Sequence, residues 1–288
     1  MKDISTLVED IYGVVQGKGG WDQTISDFFR DEVEGVMAKR LAPSDGSHRK
    51  PTLRMSNIGT PCTRKVWYSI NQPILGGVLS APMTLKFLYG DILEALLIAL
   101  AKAAGHTVEG EQDTLNCFGI IGHRDCVIDG VTIDVKSASS TAFKKFKDGA
   151  LRRDDPFGYI RQLAGYVKAA KDDPLVTDKK RGGFLAIDKQ HGTVVLDVYD
   201  FTDELETMEE HIATLRSTVA AKTPPARTYT DIPEGKSGNR KLDTACVFCD
   251  FKATCWEGLR AFRYAWGDTF LTNVEREPDK RIMEVRLG

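Results

Sequence analysis

The sequence lacks the features that would assign it at once to several large classes of protein. Its net charge is only −2 over 288 residues, so bulk charge gives no sign of a nucleic-acid binder. No G-x4-G-K-S/T phosphate loop occurs, which excludes a helicase motor of that type within this chain. Internal repeats and low-complexity segments are also absent from the sequence.

Long apolar runs are missing as well. The longest, ILEALLIALAKAAG at 92–105, is too short and too interrupted to span a bilayer. The opening stretch MKDISTLVEDIYGVV is acidic and mixed, which is not typical of a signal or transit peptide. We therefore expect a cytoplasmic protein that makes no membrane contact.

What is present predicts an α/β fold. With 42% hydrophobic residues, the chain is able to bury a full core. A helix–strands–helices–strands–helix order predicts a central mixed sheet flanked by helices. Helical patterns cover residues 1 to about 40, 81–105, 139–149, 157–171 and 201–221, and strand patterns lie between 106 and 137 and at 182–188 and 193–199.

One strand carries a carboxylate and an amine side by side. VTIDVK at 131–136 is β-branched and predicts a strand, on which Asp134 and Lys136 project from the same face. Another carboxylate, Asp125, comes just before the preceding apolar stretch. Such a pair indicates either a salt bridge or a catalytic site. Asp129 is set apart, because VIDGV is typical of a hairpin turn of the Asp-Gly type.

The cysteines form a second pattern. CVFCDFKATC at 246–255 has C-x2-C-x5-C spacing, and four soft sulfur ligands suit zinc or an iron–sulfur cluster. Disulfides are disfavoured in the cytosol. A fourth ligand has to come from Cys62, Cys117 or Cys126. The last two stand in apolar, strand-like surroundings typical of a core, whereas Cys62 is followed by basic residues that favour a thiolate.

SNIGTPCTRKVWY, followed far downstream by CVFCDFKATCW, resembles the RecB-like iron–sulfur exonucleases. This family includes the CRISPR-associated single-strand exonucleases and the nuclease domain of AddB. The resemblance implies that Cys62, Cys246, Cys249 and Cys255 hold a 4Fe–4S cluster, with zinc as the alternative that spacing does not exclude. Either metal would close a very long loop and tie the two ends of the fold together.

The same family belongs to the PD-(D/E)XK superfamily, whose signature is an acidic residue followed by a strand with (D/E)-x-K. Asp125 and the triplet at 134–136 match it. The resemblance implies that Asp125, Asp134 and the Val135 carbonyl bind Mg²⁺ or Mn²⁺, which prefer oxygen ligands. Lys136 would then orient the attacking water or stabilise charge on the phosphate.

Two further motifs agree with the family. YGDILEALL resembles its helical first motif and offers Glu94 as a metal ligand, four positions after Gly90, where many members carry histidine. YIRQLAGYV resembles its Q-x3-Y motif, with Gln162 and Tyr166 on one face of a helix, where they would position the DNA strand.

The resemblance implies a metal-dependent DNA exonuclease that hydrolyses phosphodiester bonds from single-stranded ends, with 5′ to 3′ polarity favoured. Recombination, repair and CRISPR adaptation are its implied settings, in a cellular or a phage-encoded enzyme. We expect residues 1–55 to form an N-terminal helical extension and residues 56–288 a nuclease domain closed by the cysteine module of Cys62 and 246–255. The extension, which the family core does not need, suggests a stand-alone enzyme or a homo-oligomer. The resemblance also implies recombination or CRISPR partner proteins.

A different class of protein stays open at this point. A non-catalytic or structural zinc-containing DNA-binding protein would explain the cysteines, though not the series of acidic motifs. Three basic segments would contact a DNA backbone in either case, or would be plain solvated loops. They are GKSGNRK at 235–241, FKKFK at 143–147 and the arginines at 152–153.

Overall fold

A computed structural model of the chain describes residues 2–42, 51–72 and 81–286. In chain order its elements are α1 (Leu7–Val15), α2 (Gln23–Leu41), α3 (Met55–Ile58), α4 (Thr63–Asn71), α5 (Ala81–Ala103), β1 (Val108–Glu109), β2 (Thr114–Cys117), β3 (Ile120–His123), β4 (Cys126–Ile128), β5 (Val131–Ala138), α6 (Ser140–Lys147), α7 (Tyr159–Ala169), β6 (Arg181–Asp188), β7 (Val194–Asp200), α8 (Thr202–Ala220), β8 (Ile232–Pro233), β9 (Arg240–Lys241), α9 (Thr244–Val247), α10 (Lys252–Cys255), β10 (Arg260–Tyr264), β11 (Gly267–Asn273) and β12 (Met283–Val285).

The chain divides into two compact units. The first comprises Met1–Gly59 and Ile74–Leu215, and the second comprises Thr60–Pro73 and Arg216–Gly288. By this spatial grouping the N-terminal helices belong to the first unit. The expected division of the chain into an N-terminal extension over 1–55 and a nuclease domain over 56–288 stays a prediction.

The first unit is built on a mixed sheet with the strand order β1-β4-β5-β6-β7. Strands β5 and β6 are parallel, and the other neighbours are antiparallel. A parallel pair needs a long crossover, which here contains α6 and α7. The predicted mixed sheet flanked by helices is confirmed. The predicted turn is confirmed too, because Asp129 and Gly130 both have positive φ, at 48° and 80°, between β4 and β5.

Alternation along the strands separates two apolar layers. Ile133 and Val135 of β5 belong to a cluster with residues of α1 and α5 on one face of the sheet. Strand β6, the neighbour of β5 in the sheet, alternates in the same way. Its Leu185 belongs to the cluster with α1 and α5, and its Phe184 belongs to a second cluster, which includes residues of α7 and α8. Because side chains on a strand alternate between faces, Asp134 and its neighbour two positions on project away from the α1–α5 layer.

Helix α2 joins the first unit through polar contacts and through Phe28, which packs against the apolar cluster of α1 and α5. Asp22 caps it by accepting a hydrogen bond from the Ile25 N–H at 3.0 Å. Near its other end, Arg40 donates two hydrogen bonds to Asp91 of α5, from Nε at 2.5 Å and from Nη2 at 3.0 Å. None of the side chains of α2 is fully buried, so these contacts and its packing on α5 hold it in place.

The second unit has its own antiparallel sheet, with the strand order β12-β10-β11-β9-β8. Helix α4 packs in this unit through Trp67 and Tyr68, and the Tyr68 ring stacks on Phe251 with centroids 5.6 Å apart. Segments far apart in the sequence therefore share one small core.

Across residues 2–42, 51–72 and 81–286, the structure contains no helix with both the length and the apolar character that crossing a membrane requires.

Candidate functional site

The β4–β5 hairpin brings Asp125 next to the Asp-Val-Lys triplet. Asp125 precedes β4, and the first residue of that strand pairs with Ile133 of β5. As a result, Asp125 Oδ2 accepts a hydrogen bond from the Val135 N–H at 2.7 Å. Two carboxylates, Asp125 and Asp134, thus lie at one place in the sheet although nine positions separate them in the sequence.

Lys136 lies within the same group. Its ammonium contacts the Asp134 carboxylate, and it lies 5.3 Å from the centroid of the Tyr159 ring. Burial alone would lower the pKa of Lys136, but the charges of Asp134 and Asp125 outweigh that effect and raise this pKa above its ordinary value. The lysine therefore keeps its positive charge at neutral pH.

Glu94 of α5 is a third carboxylate in this group. Its Oε1 accepts a hydrogen bond from Gln112 Nε2 at 2.8 Å. Burial, together with the charges of Asp125 and Asp134, raises the pKa of Glu94 to about 8. Burial and the charge of Asp134 raise the pKa of Asp125 to about 7. Three carboxylates, of which Asp134 is buried and the other two are half-buried, lie beside a single ammonium. They carry an excess of negative charge that a cation or bound protons must offset.

The donor chemistry of this group fits Mg²⁺ or Mn²⁺, because carboxylate and main-chain oxygens are their preferred ligands. The positions of the side chains, in contrast, do not match a metal site. Within the described part of the chain, no group of three or more His, Cys, Asp or Glu residues is placed so that it could hold a metal ion. The ligand role expected for Glu94, Asp125, Asp134 and Val135 stays a prediction.

Gln162 and Tyr166 of α7 lie beside these carboxylates. The two side chains are near neighbours, because Gln162 is one of the groups that act on the pKa of Tyr166. Burial raises the pKa of Tyr166, and so do the charges of Asp134 and Asp125. The motif residues that the sequence placed on separate elements are therefore close enough in the first unit to act on one another electrostatically.

A cavity of about 410 Å³ opens beside Glu94 and Asp125. Its wall includes Asp91 and Arg40, the pair that joins α2 to α5, and Gln112, the partner of Glu94. Sequence reasoning missed these three residues. Asp91 could have been predicted from the sequence, because it precedes Glu94 by three positions and so lies on the same face of the helix. Arg40 and Gln112 have no comparable local signal.

The four predicted cluster cysteines all lie in the second unit. Cys62 precedes α4 as its N-cap, Cys246 lies in α9, Cys249 follows it, and Cys255 ends α10. Burial raises the pKa of Cys246 to about 11, and the neighbouring thiols of the other three add to this increase, although a hydrogen bond with Trp256 opposes it. The four sulfurs are thus neighbours.

As they stand, these thiols do not make a metal site, since no group of three or more potential ligands among the described residues could hold an ion. All six cysteines are free. Metal binding requires thiolates, whereas the surroundings of Cys246 and Cys249 favour the protonated thiol by raising both pKa values, mainly through burial. The 4Fe–4S cluster and its zinc alternative stay predictions.

The other two cysteines are core residues, as predicted. Cys117 is 1% exposed and Cys126 is fully buried, each within an apolar cluster of the first unit. Burial raises the pKa of Cys117 to about 11 and that of Cys126 well above its ordinary value. Neither thiol is therefore disposed to act as a thiolate.

The basic segments are partly engaged within the protein. Arg152 donates hydrogen bonds to Glu204 and to the Asp200 carbonyl. Lys145 forms an ion pair with Asp154 at 2.7 Å. These contacts favour a structural role for the two side chains, whereas Lys144 and Lys147 of the same helix are exposed.

No protein-family model and no curated protein matches this sequence. Among solved structures, the chain is similar to one titled "Crystal structure of SSO0001". The two are 17% identical, with a TM-score of 0.39 over 80% of this chain and 96% of that chain. A likeness of that degree establishes neither a shared fold nor a shared activity.

Proposed function

We propose that the first unit is a metal-dependent deoxyribonuclease that hydrolyses phosphodiester bonds from the ends of single-stranded DNA. The observation that carries this proposal is the grouping of Glu94, Asp125 and Asp134 around Lys136 in a partly buried, polar place. Carboxylates with raised pKa values beside a charged lysine are typical of sites that bind a cation or transfer a proton.

Each residue has a distinct part in the proposed reaction. Glu94, Asp125, Asp134 and the Val135 carbonyl would hold Mg²⁺ or Mn²⁺, which supplies Lewis-acid polarisation of the phosphate and an activated water when bound. For the ion to bind, Asp134 would turn from the Lys136 ammonium that it now contacts. The ammonium is then available to stabilise negative charge that develops on the phosphate.

Gln162 and Tyr166 would position the strand. The Tyr166 hydroxyl stays protonated at neutral pH because burial and the nearby carboxylates raise its pKa. It is therefore a hydrogen-bond donor, as is the Gln162 amide, and both group types serve as contacts to phosphate oxygens in protein–DNA complexes.

The remaining parts of the proposal concern the setting. Six free thiols suit the reducing cytosol, which is the compartment we propose. The second unit would carry the 4Fe–4S cluster on Cys62, Cys246, Cys249 and Cys255. Recombination, repair or CRISPR adaptation would provide the DNA ends, with partner proteins or further copies of the chain.

One observation favours a second candidate, a non-catalytic or structural zinc-containing DNA-binding protein. The Lys136 ammonium already neutralises Asp134, as in an ordinary structural ion pair on a strand. In that case the carboxylates would serve the stability of the sheet, and the protein would bind DNA without cutting it.

The deciding experiment is a cleavage assay with Mn²⁺ on single-stranded DNA labelled at the 5′ or the 3′ end. We expect the parental protein to shorten the strand, and Asp134→Asn to lower the rate by a factor of about 100 or more. Asp172→Asn, which changes an exposed carboxylate (87% of the side chain), is the matched control and should keep the parental rate. Parental protein that binds the strand and never cuts it would establish the second candidate instead. The position of the label that is released first gives the polarity.

A further inference from the structure

The second unit contains an open groove of about 600 Å³ that none of the motifs accounts for. We call it the arginine groove. It is lined by Arg64, Arg227, Tyr229, Thr230, Asp231 and Trp256.

Arg227 is held in the groove by neutral partners. Its Nε and Nη2 donate to the Cys255 carbonyl at 3.0 and 2.7 Å, and its guanidinium lies 4.2 Å from the centroid of the Trp256 ring. Carbonyl and ring orient the group without cancelling its charge. Among the described residues Arg227 has no ion pair with a carboxylate.

Arg64 is held in a similar way. Its Nη1 donates to the Pro225 carbonyl at 2.5 Å, and its Nη2 donates to the Tyr68 hydroxyl at 3.0 Å. Its Nε is buried and has no hydrogen-bond partner within the part of the chain that the structure describes. A second guanidinium that has no ion pair with a described carboxylate thus lines the same groove.

The one carboxylate of the lining, Asp231, forms no ion pair with either arginine in the described part of the chain, although the charge of Arg227 is one of those that lower its pKa. Asp231 Oδ1 lies 2.7 Å from Arg240 Nη2, and Oδ2 accepts a hydrogen bond from Thr272 at 2.7 Å. Both oxygens are therefore engaged outside the pair Arg64 and Arg227. The groove presents two positive groups that are fixed in orientation, and that is the arrangement that attracts an anion.

We propose that the arginine groove binds a phosphate group of a single-stranded nucleic acid. The planar guanidinium donates in pairs and matches the oxygens of phosphate better than those of smaller anions. Tyr229 adds a hydroxyl, which is a hydrogen-bond donor at neutral pH, to the lining. The inference rests on the proposed function and extends it, since the strand would be bound by the second unit as well as at the carboxylates.

The test measures how tightly the protein binds single-stranded DNA under conditions in which it cannot cleave the strand. Affinity for a fluorescent oligothymidylate is measured in EDTA over a series of salt concentrations. Arg227→Gln should weaken binding about tenfold and make the slope of log K against log salt shallower by about 0.7, the value for one phosphate contact on a single strand. Arg263→Gln removes the same charge from an exposed ion pair with Asp268 and should leave both quantities unchanged.

A second variant covers the case in which Arg227→Gln does not fold. Thr230 is exposed and makes no hydrogen bond to a described residue, so Thr230→Glu adds a negative charge to the groove without removing a contact. It should weaken binding as Arg227→Gln does, whereas Ala265→Glu, at an exposed position outside the lining, should not.

Parental affinity and parental salt dependence in folded Thr230→Glu and Arg227→Gln would overturn the proposal. Competition separates the two sources of a phosphate: displacement of the strand by a deoxynucleoside monophosphate assigns the groove to a terminal phosphate, and displacement by oligonucleotide alone assigns it to a phosphodiester. A failed cleavage assay with intact, Arg227-dependent binding would reject the proposed activity and leave the groove in place.

Discussion

The ammonium of Lys136 contacts the carboxylate of Asp134, two residues earlier on the same strand. Their shared face follows from the strand period, and the intervening Val135 belongs to the apolar cluster with residues of α1 and α5. Glu94 and Asp125 lie in the same group, so one lysine faces three carboxylates. Burial and the charges of the neighbouring carboxylates raise the pKa values of Glu94 and Asp125. The site is short of positive charge.

The first prediction separates the roles of these residues. Lys136→Ala should lower DNA cleavage by a factor of about 100 or more, because it removes the charge proposed to stabilise the phosphate. It should keep Mn²⁺ binding, because an ammonium is not a metal ligand. Titration calorimetry with Mn²⁺ measures the second quantity, and Asp134→Ala, which should lose both, is the reference. Loss of Mn²⁺ binding in Lys136→Ala would contradict this division of roles.

The second prediction concerns pH. Glu94 and Asp125 have raised pKa values of about 8 and about 7, so both hold a proton more tightly in the folded chain than in the unfolded one. Their contribution to the unfolding free energy is therefore full at low pH. It falls as the pH rises from about 4, where the unfolded carboxylates ionise, and is lost once the pH has passed the folded values of about 7 and 8. The slope is up to about 1.4 kcal/mol per pH unit for each group. Denaturant titrations of metal-free protein at several pH values measure the fall.

Glu94→Gln is the control for this prediction. An amide does not ionise, so the variant should lose less stability than the parental protein between about pH 5 and about pH 8. Mn²⁺ should oppose the fall, because a bound cation favours the ionised carboxylates. If the parental protein and Glu94→Gln lose stability in parallel, the raised pKa of Glu94 is wrong.

Local features of the site were predictable from the sequence, and distant ones were not. The common face of Asp134 and Lys136 and the turn at Asp129 depend only on the strand period and on Asp-Gly turn geometry. The pair of Arg40 and Asp91 joins positions 51 apart, and no periodic pattern in the sequence marks such a contact.

The second unit shows the same limit on a larger scale. Its sheet contains strands of only two to seven residues, too short for a clear alternation of apolar and polar side chains. Cysteine spacing nevertheless indicated that Cys62 belongs with 246–255, and these residues do lie in one unit. A set of potential metal ligands predicts that distant segments lie together, and hydrophobic patterning makes no such prediction.

The third prediction tests a close approach of two backbones. A Cβ at Gly59 would lie 1.7 Å from the Gly158 carbonyl oxygen, where α3 ends beside the start of α7. Gly59→Ala should therefore lower the unfolding free energy by about 3 kcal/mol or more, since neither backbone is free to give way. Gly35→Ala, in α2 with no atom within 4 Å, should raise it by up to about 1 kcal/mol. Equal stabilities of the two variants would refute the close approach.

The fourth prediction concerns the four clustered cysteines. If they share one metal site, replacing Cys62, Cys246, Cys249 or Cys255 by alanine should cause nearly the same loss of metal and of stability, because each removal opens the same coordination sphere. Iron and zinc content are measured on protein purified without oxygen, together with thermal unfolding. Stoichiometric zinc without iron would replace the cluster by a zinc site.

Cys117→Ala and Cys126→Ala are the matched controls for the cluster variants. Both thiols are buried in apolar clusters, so their replacement should reduce stability by about 1 kcal/mol and leave the metal content unchanged. A Cys62→Ala protein that keeps its full metal content would show that Cys62 is not a ligand.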